Sequence, residues 1–207
     1  MSASLATLAA AIIRKQARKL AAKFANQDMP DIGLWLGKYT KTKIDEAELR
    51  YLGVPVNSTN IYRIDLDRAD PLRFVHADSG IQYRPEMNFA CDLGSIPWFL
   101  QSVKKVSSMS LRLQPDQFPK SYILHDSACL KASVSVRHRD GDEWTRIPLK
   151  RVEADVLLYW GLSAEGCRGH EATRLECQAI YRAARSPAGA YAWRKRRLRE
   201  REHIARL

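Results

Sequence analysis

The residues whose types could do chemistry lie in three short polar segments. The first follows a predicted strand, the second lies inside an apolar helix, and the third opens another helix. Their candidate site residues are Asp92 in the first, His125 and Asp126 in the second, and Arg151 and Asp155 in the third. The three carboxylates and the imidazole form a candidate ligand set for Mg²⁺, Mn²⁺ or Zn²⁺. A divalent metal there would activate water for hydrolysis.

The spacing within two of these segments sets what the side chains can reach. His125 and Asp126 are adjacent and point about 100° apart on a helix, so they face one centre only if it lies between their directions. Arg151 and Asp155 are four apart and share one helix face. They form an ion pair, or Asp155 turns inward while Arg151 positions it.

Two metal-free alternatives remain open at this stage. In one, the segments form a buried polar network in which Asp92 caps a helix, His125 bonds a carboxylate and Arg151 pairs with Asp155. In the other, His125 is a general base oriented by Asp92 or Asp155. Cys129 lies one helical turn from His125 and can touch it, although a small buried thiol is the commoner explanation for such a residue.

Hydrophobic periodicity predicts the elements that must position these side chains. The predicted helices cover residues 3–25, 96–103, 119–131, 150–164, 170–185 and 190–206. Strands are predicted at 61–66, 72–75 and 81–84, and a hairpin over 133–149 turns at Asp140-Gly141. The predicted fold class is α+β: a small antiparallel sheet from 31–90 and 133–149 packs with a cluster of helices.

Basic helices are predicted to flank this domain. The expected organisation is a basic amphipathic helix over 1–27, one α+β domain over 28–185 and a basic helix over 186–207. The formal net charge of the chain is +11, and residues 1–27 carry five basic residues and no acidic one. Cationic ends on a near-neutral domain suit a polyanion, such as nucleic acid, an anionic membrane surface or an acidic protein, or simply a solvated surface.

The C-terminal segment is the strongest candidate for nucleic-acid or partner binding. Its candidate binding residues are Arg194, Lys195, Arg196, Arg197, Arg199 and Arg201. They follow Tyr191 and Trp193, and arginines near aromatic residues suit phosphate contacts together with base stacking. No helix-turn-helix or zinc-finger pattern accompanies them, so we do not expect sequence-specific binding. Non-specific nucleic-acid binding and docking on an acidic protein both stay open.

Cysteine usage and hydropathy bound the cellular setting. The chain has four cysteines and no CxxC pair, which predicts free thiols in a reducing compartment. No apolar run reaches the roughly 18 residues that a bilayer span needs. We expect an intracellular location.

The order of the polar segments resembles the phage and prophage family known as domain of unknown function 1353. The resemblance covers roughly residues 85–195. The matching residues are Asp92, Ser95 and Pro97, then His125 and Asp126, then Arg151, Ala154 and Asp155, then Gly189 and Trp193. The resemblance implies a bacteriophage or prophage origin, and with it a location in the bacterial host cytoplasm or the phage virion. It assigns no activity.

Together these features predict a non-enzymatic virion or assembly component. Its basic ends would contact DNA or neighbouring phage structural proteins rather than a membrane surface, and a homo-oligomer is compatible with such a role. The alternative is a metal-dependent hydrolase that uses the Asp92, His125, Asp126 and Asp155 set, with a divalent metal as its one candidate cofactor.

Overall fold

The computed structural model describes most of the chain as an α+β fold. It describes residues 4–22, 32–51, 61–86, 89–91, 117–139, 141, 143–166, 171–187 and 189–191. The helices are α1 (Leu5–Ala22), α2 (Glu46–Tyr51), α3 (Pro119–Lys131), α4 (Arg151–Gly166) and α5 (Glu171–Arg185). The strands are β1 (Gly33–Leu36), β2 (Tyr39–Lys43), β3 (Tyr62–Leu66), β4 (Arg73–His76), β5 (Gln82–Arg84), β6 (Phe89–Cys91), β7 (Ser133–Arg137) and β8 (Thr145–Pro148).

The strands form two antiparallel sheets, whereas the sequence predicted one. The larger sheet has the order β1-β4-β5-β7-β8, and the smaller has the order β2-β3-β6. Gly37 leads the chain from β1 into β2, which belong to different sheets. Its φ is +81°, and a Cβ there would lie 2.1 Å from the Pro71 carbonyl oxygen, so the crossing requires glycine.

The main core lies between one face of the five-stranded sheet and the helices α1, α3 and α4. Trp160 of α4 is fully buried at its centre. The Trp160 ring stacks on Phe74 at 6.0 Å and lies 5.4 Å from the ring of Tyr83. Residues 153–163 of α4 are all buried, as expected for a helix with neighbours on every side.

The N-terminal helix α1 packs into this same core. The sequence predicts an apolar stripe on this helix, made of Ala9, Ile13, Ala17, Leu20 and Phe24. Ala9 and Ile13 are fully buried. Arg14 Nε donates to Glu153 Oε1 at 3.0 Å, which links α1 to the first turn of α4. The side chains of the rest of that stripe lie outside the described residues.

Most of the predicted elements that fall on described residues are confirmed. The helix over 119–131 begins at Pro119 and ends at Lys131, and the 133–149 hairpin is the β7–β8 pair. Proline suits the first helical turn because it lacks the N–H that would be unpaired there. The helix predicted over 96–103 lies outside the described residues, as does most of that over 190–206.

The sequence Ser186-Pro187-Ala188-Gly189 predicts a break between the helices over 170–185 and 190–206, and the break is shorter than expected. Helical backbone resumes at Pro187 rather than at residue 190. The Ser186 hydroxyl accepts a hydrogen bond from Gly189 N at 3.2 Å, and its carbonyl accepts one from Ala190 N at 3.0 Å. Serine at the cap followed by proline at the first position favours the start of a helix. The hydrogen bonds of Ser186 therefore start a new helical turn where proline and glycine alone would predict a longer break.

Two further expectations concern cysteines and membranes. Cys91, Cys129 and Cys177 are buried free thiols, and Cys167 lies outside the described residues. None of the described helices is both long and apolar enough to cross a bilayer.

Candidate functional site

A close approach of α3 to α4 brings the second and third polar segments together. Gly161 of α4 lies against Ser121 of α3, where a Cβ would be 2.9 Å from the serine Oγ. Glu165 accepts hydrogen bonds from the Ser121 backbone N–H and hydroxyl, so α4 supplies the N-terminal cap that α3 lacks. The helices run in opposite directions, and His125 therefore meets Asp155 further along the contact.

His125 contacts a carboxylate at each ring nitrogen. Its Nε2 lies 3.2 Å from Asp155 Oδ1, and its Nδ1 lies 3.6 Å from Asp126 Oδ1. The Cys129 sulfur also lies 3.3 Å from Nε2. The three polar partners come from α3 itself and from α4, so the imidazole bridges the two helices.

Asp155 is almost completely enclosed. The residue is 1% exposed, and its Oδ2 lies 3.8 Å from Arg151 Nη2 and 3.8 Å from Arg185 Nη1. Oδ2 has no hydrogen-bond partner among the described residues, so its charge is balanced by two ion pairs at longer range. Both sequence-based options for Asp155 hold: it turns inward, and it pairs with Arg151.

Arg151 connects this carboxylate to the end of α5. Its Nη2 donates to the Ala184 carbonyl oxygen and lies 3.4 Å from the Ser186 carbonyl oxygen. A guanidinium in this position satisfies carbonyl groups that a helix end leaves unpaired. Arg151 therefore fastens the C-terminus of α5 to the start of α4.

Asp126 faces the smaller sheet. Cys91, the last residue of β6, donates its S–H to Asp126 Oδ2 at 3.1 Å. Adjacent positions on α3 thus point in different directions, His125 toward α4 and Asp126 toward β6. The predicted divergence of the two side chains is confirmed, and a single centre facing both would have to lie between these directions.

The pKa of His125 is raised well above its ordinary value of 6.5. Burial acts against this shift, because it disfavours the charged ring. A Cys129 thiolate would favour the charged ring. Burial raises the pKa of this thiol, however, and His125 offsets that rise only in part, so the thiol keeps its proton. Hydrogen bonds to Asp126 and Asp155 remain, and these two carboxylates stabilise the imidazolium.

Cys129 does not have the properties of an activated nucleophile. It lies in the last turn of α3, it is 8% exposed, and burial raises the pKa of its thiol. The reactive form of cysteine is the thiolate, which needs a lowered pKa and access to a substrate. The arrangement fits a thiol packed against His125.

The predicted metal set is described only in part. Among the described residues, no three His, Cys, Asp or Glu side chains are placed to hold an ion. Asp92, the fourth predicted ligand, lies outside the described residues, as do Arg194, Lys195, Arg196, Arg197, Arg199 and Arg201 of the C-terminal segment. The predicted helix cap by Asp92 is therefore not described either.

The side chains that contact His125, Asp126 and Asp155 form one polar cluster, the His125 cluster. Two of its members were not predicted from the sequence. Arg185 lies 30 positions after Asp155, and Cys91 lies 35 positions before Asp126. No local spacing links either pair. The only signal for Arg185 was its place in the last turn of a helix, where a cation is common.

Comparison of the chain with family models, with curated proteins and with solved structures gave no match in any of the three.

Proposed function

We propose that this protein is a non-enzymatic virion or assembly component of a bacteriophage or prophage. The observation that carries the proposal is the pairing of His125, whose two ring nitrogens both contact protein carboxylates. A general base or metal ligand needs a free nitrogen directed at a substrate or an ion. Here the imidazole is used to join α3 to α4.

The surroundings of the cluster support the same conclusion. Asp155 is 1% exposed and Asp126 is 8% exposed, so both carboxylates are directed at protein groups. Buried charges are retained in proteins where partners compensate them, and this cluster supplies an imidazole and two guanidinium groups. Its role in the proposal is to hold α3, α4 and α5 in one arrangement.

The phage assignment rests on the resemblance in the order of the polar segments, and the binding role rests on charge. The six candidate binding residues over 194–201 are cations in a segment with one acidic residue, Glu200. Such a segment binds DNA through phosphates, or the acidic surface of a neighbouring subunit.

A metal titration tests the non-enzymatic part of the proposal. Metal content and thermal stability are measured for the wild type, His125→Ala and Asp155→Asn, with and without Mn²⁺ or Zn²⁺. We expect no bound metal, no metal-dependent stabilisation, and a lower melting temperature for both variants. Bound metal that both variants lose would instead favour the metal-dependent hydrolase.

A charge-matched comparison tests the binding role. One variant carries Arg194→Gln, Arg196→Gln and Arg197→Gln, and the control carries Lys43→Gln, Arg50→Gln and Arg68→Gln at exposed positions of the domain. We expect only the first variant to lose most of its affinity for duplex DNA at low salt. Equal affinities of the two variants for DNA and for the assembled phage proteins would contradict the role of the C-terminal segment.

A further inference from the structure

A second polar group lies on the five-stranded sheet, on the face opposite the core. The core side of the sheet carries Tyr83, Val136 and Ile147, which are buried. Strand residues alternate between faces, so Arg84 and Arg137 lie on the other side. They occupy neighbouring strands, where Arg84 pairs with Ser135 and Gln82 pairs with Arg137.

Both arginines stack on one tryptophan. The guanidinium carbon of Arg84 lies 4.3 Å from the centre of the Trp144 ring, and that of Arg137 lies 4.6 Å from it. Trp144 directly precedes β8 and is half-buried. The cation–π contacts hold two like charges close together on the sheet.

The described neighbours neutralise this pair only in part. Arg137 Nη2 donates to the neutral Gln82 side chain at 2.9 Å. Glu86 attracts the charge of Arg84 at longer range, but it accepts a hydrogen bond from the Ser135 hydroxyl and forms its ion pair with Arg146 at 3.4 Å. Among the described residues no carboxylate forms an ion pair with Arg84 or Arg137, and the Nε atoms of both are buried without a hydrogen-bond partner.

We infer that the Arg84, Trp144 and Arg137 group is a binding site for single-stranded nucleic acid. Two guanidinium groups that have no ion pair among the described residues fit a phosphodiester, which guanidinium binds with paired hydrogen bonds. The exposed part of the half-buried Trp144 indole offers a stacking surface to an unpaired base. An acidic protein would satisfy the charge but would not use the stacking surface, and duplex DNA keeps its bases stacked.

The site belongs to the folded domain and does not depend on the basic ends of the chain. Its cations come from β5 and from β7, so its geometry is fixed by the pairing of these two strands. The C-terminal cations, by contrast, all lie within the single segment 194–201. The two sites therefore make separate predictions for the same full-length protein.

The affinity for fluorescent oligo-dT and its salt dependence test the inference. The comparison uses the full chain, Arg84→Gln with Arg137→Gln, Trp144→Leu, and a control with Lys43→Gln and Arg50→Gln. We expect the arginine pair variant to bind more weakly, with a slope of log affinity against log salt that is smaller in magnitude by about 1.4. Trp144→Leu should bind at least about fivefold more weakly with an unchanged slope, and the control should match the wild type.

The outcomes that would overturn the inference are specific. One is an arginine pair variant and a Trp144→Leu variant that bind oligo-dT as the control does. Another is binding that polyglutamate displaces as effectively as oligo-dT does, which would indicate an acidic protein partner. A failure of the C-terminal charge variant to affect duplex DNA would contradict the proposed function and leave this inference standing.

A cross-linking measurement on the unmodified protein covers the case in which a variant does not fold. Oligonucleotides that carry 5-iodouracil are irradiated with the wild type, and the adducts are mapped by mass spectrometry. We expect an adduct on the peptide that contains Trp144. Adducts confined to residues 1–27 and 186–207 would overturn the inference.

Discussion

His125 Nε2 lies 3.2 Å from Asp155 Oδ1 and joins two helices whose contacting residues are 30 positions apart in sequence. This contact is the centre of a cluster that also includes the Arg151 and Arg185 guanidinium groups. The contacts within this cluster link α3, α4 and α5. The stability of the protein should therefore depend on this cluster in ways that can be measured.

The His125 cluster predicts a loss of stability as the pH rises. The pKa of His125 is raised in the folded protein, so its contribution is complete below its ordinary value of 6.5 and is lost as the pH rises through the raised pKa. The destabilisation caused by His125→Asn, measured by urea unfolding, should be larger at pH 6 than at pH 9. An equal effect at both values would contradict the assignment.

His76 is a second buried histidine, and its contribution to stability should depend on pH in the opposite direction. Burial lowers its pKa, although Asp78 acts against the shift, so its contribution is present above pH 6.5 and is lost as the pH falls below it. The free energy of unfolding removed by His76→Asn should therefore be larger at pH 7.5 than at pH 5. The same sign for both histidines would show that the overall charge of the protein causes the pH dependence.

Removal of the buried carboxylate should be strongly destabilising. Asp155→Ala leaves His125 and two arginines without their common partner, and breaking a buried charge cluster typically costs about 3–5 kcal/mol of unfolding free energy. Asp78→Ala removes an exposed carboxylate and should change the free energy by less than about 0.5 kcal/mol. Urea unfolding of both variants tests the difference, and similar values would contradict the central place of Asp155.

The burial of α1 predicts that the N-terminal helix contributes to the stability of the domain. Ile13 is fully buried and Leu8 is 46% exposed on the same helix. Ile13→Ala should cost about 2–5 kcal/mol, because it removes buried methyl groups and leaves a cavity. Leu8→Ala should cost less than about 1 kcal/mol. Thermal unfolding with equal midpoints for the two variants would show that α1 does not stabilise the folded domain.

Gly189 should resist substitution because the chain passes close to the end of α5. A Cβ there would lie 2.2 Å from the Ala184 carbonyl oxygen, whereas at Gly141 the nearest atom, the His138 carbonyl oxygen, would be 3.5 Å away. Gly189→Ala should therefore lower the free energy of unfolding by about 1–3 kcal/mol through crowding. Gly141→Ala should be close to neutral, and an equally neutral Gly189→Ala would disprove the close approach.

Local features of the sequence determined the elements and the short-range pairs. Pro119 marks the start of α3, and helical spacing places Cys129 next to His125 and Arg151 next to Asp155. These relationships follow from backbone geometry within a few residues, because a helix brings positions three or four apart onto one face. The α+β class followed from the same periodicities.

The long-range relationships were decided only by the tertiary structure. The meeting of His125 with Asp155, of Arg185 with Asp155 and of Cys91 with Asp126 depends on how α3 packs against α4, α5 and β6. The division of the strands into two sheets likewise depends on a crossing at one glycine. Such contacts depend on the burial of apolar surface over the whole domain, and no local pattern of residues records which partner each side chain will meet.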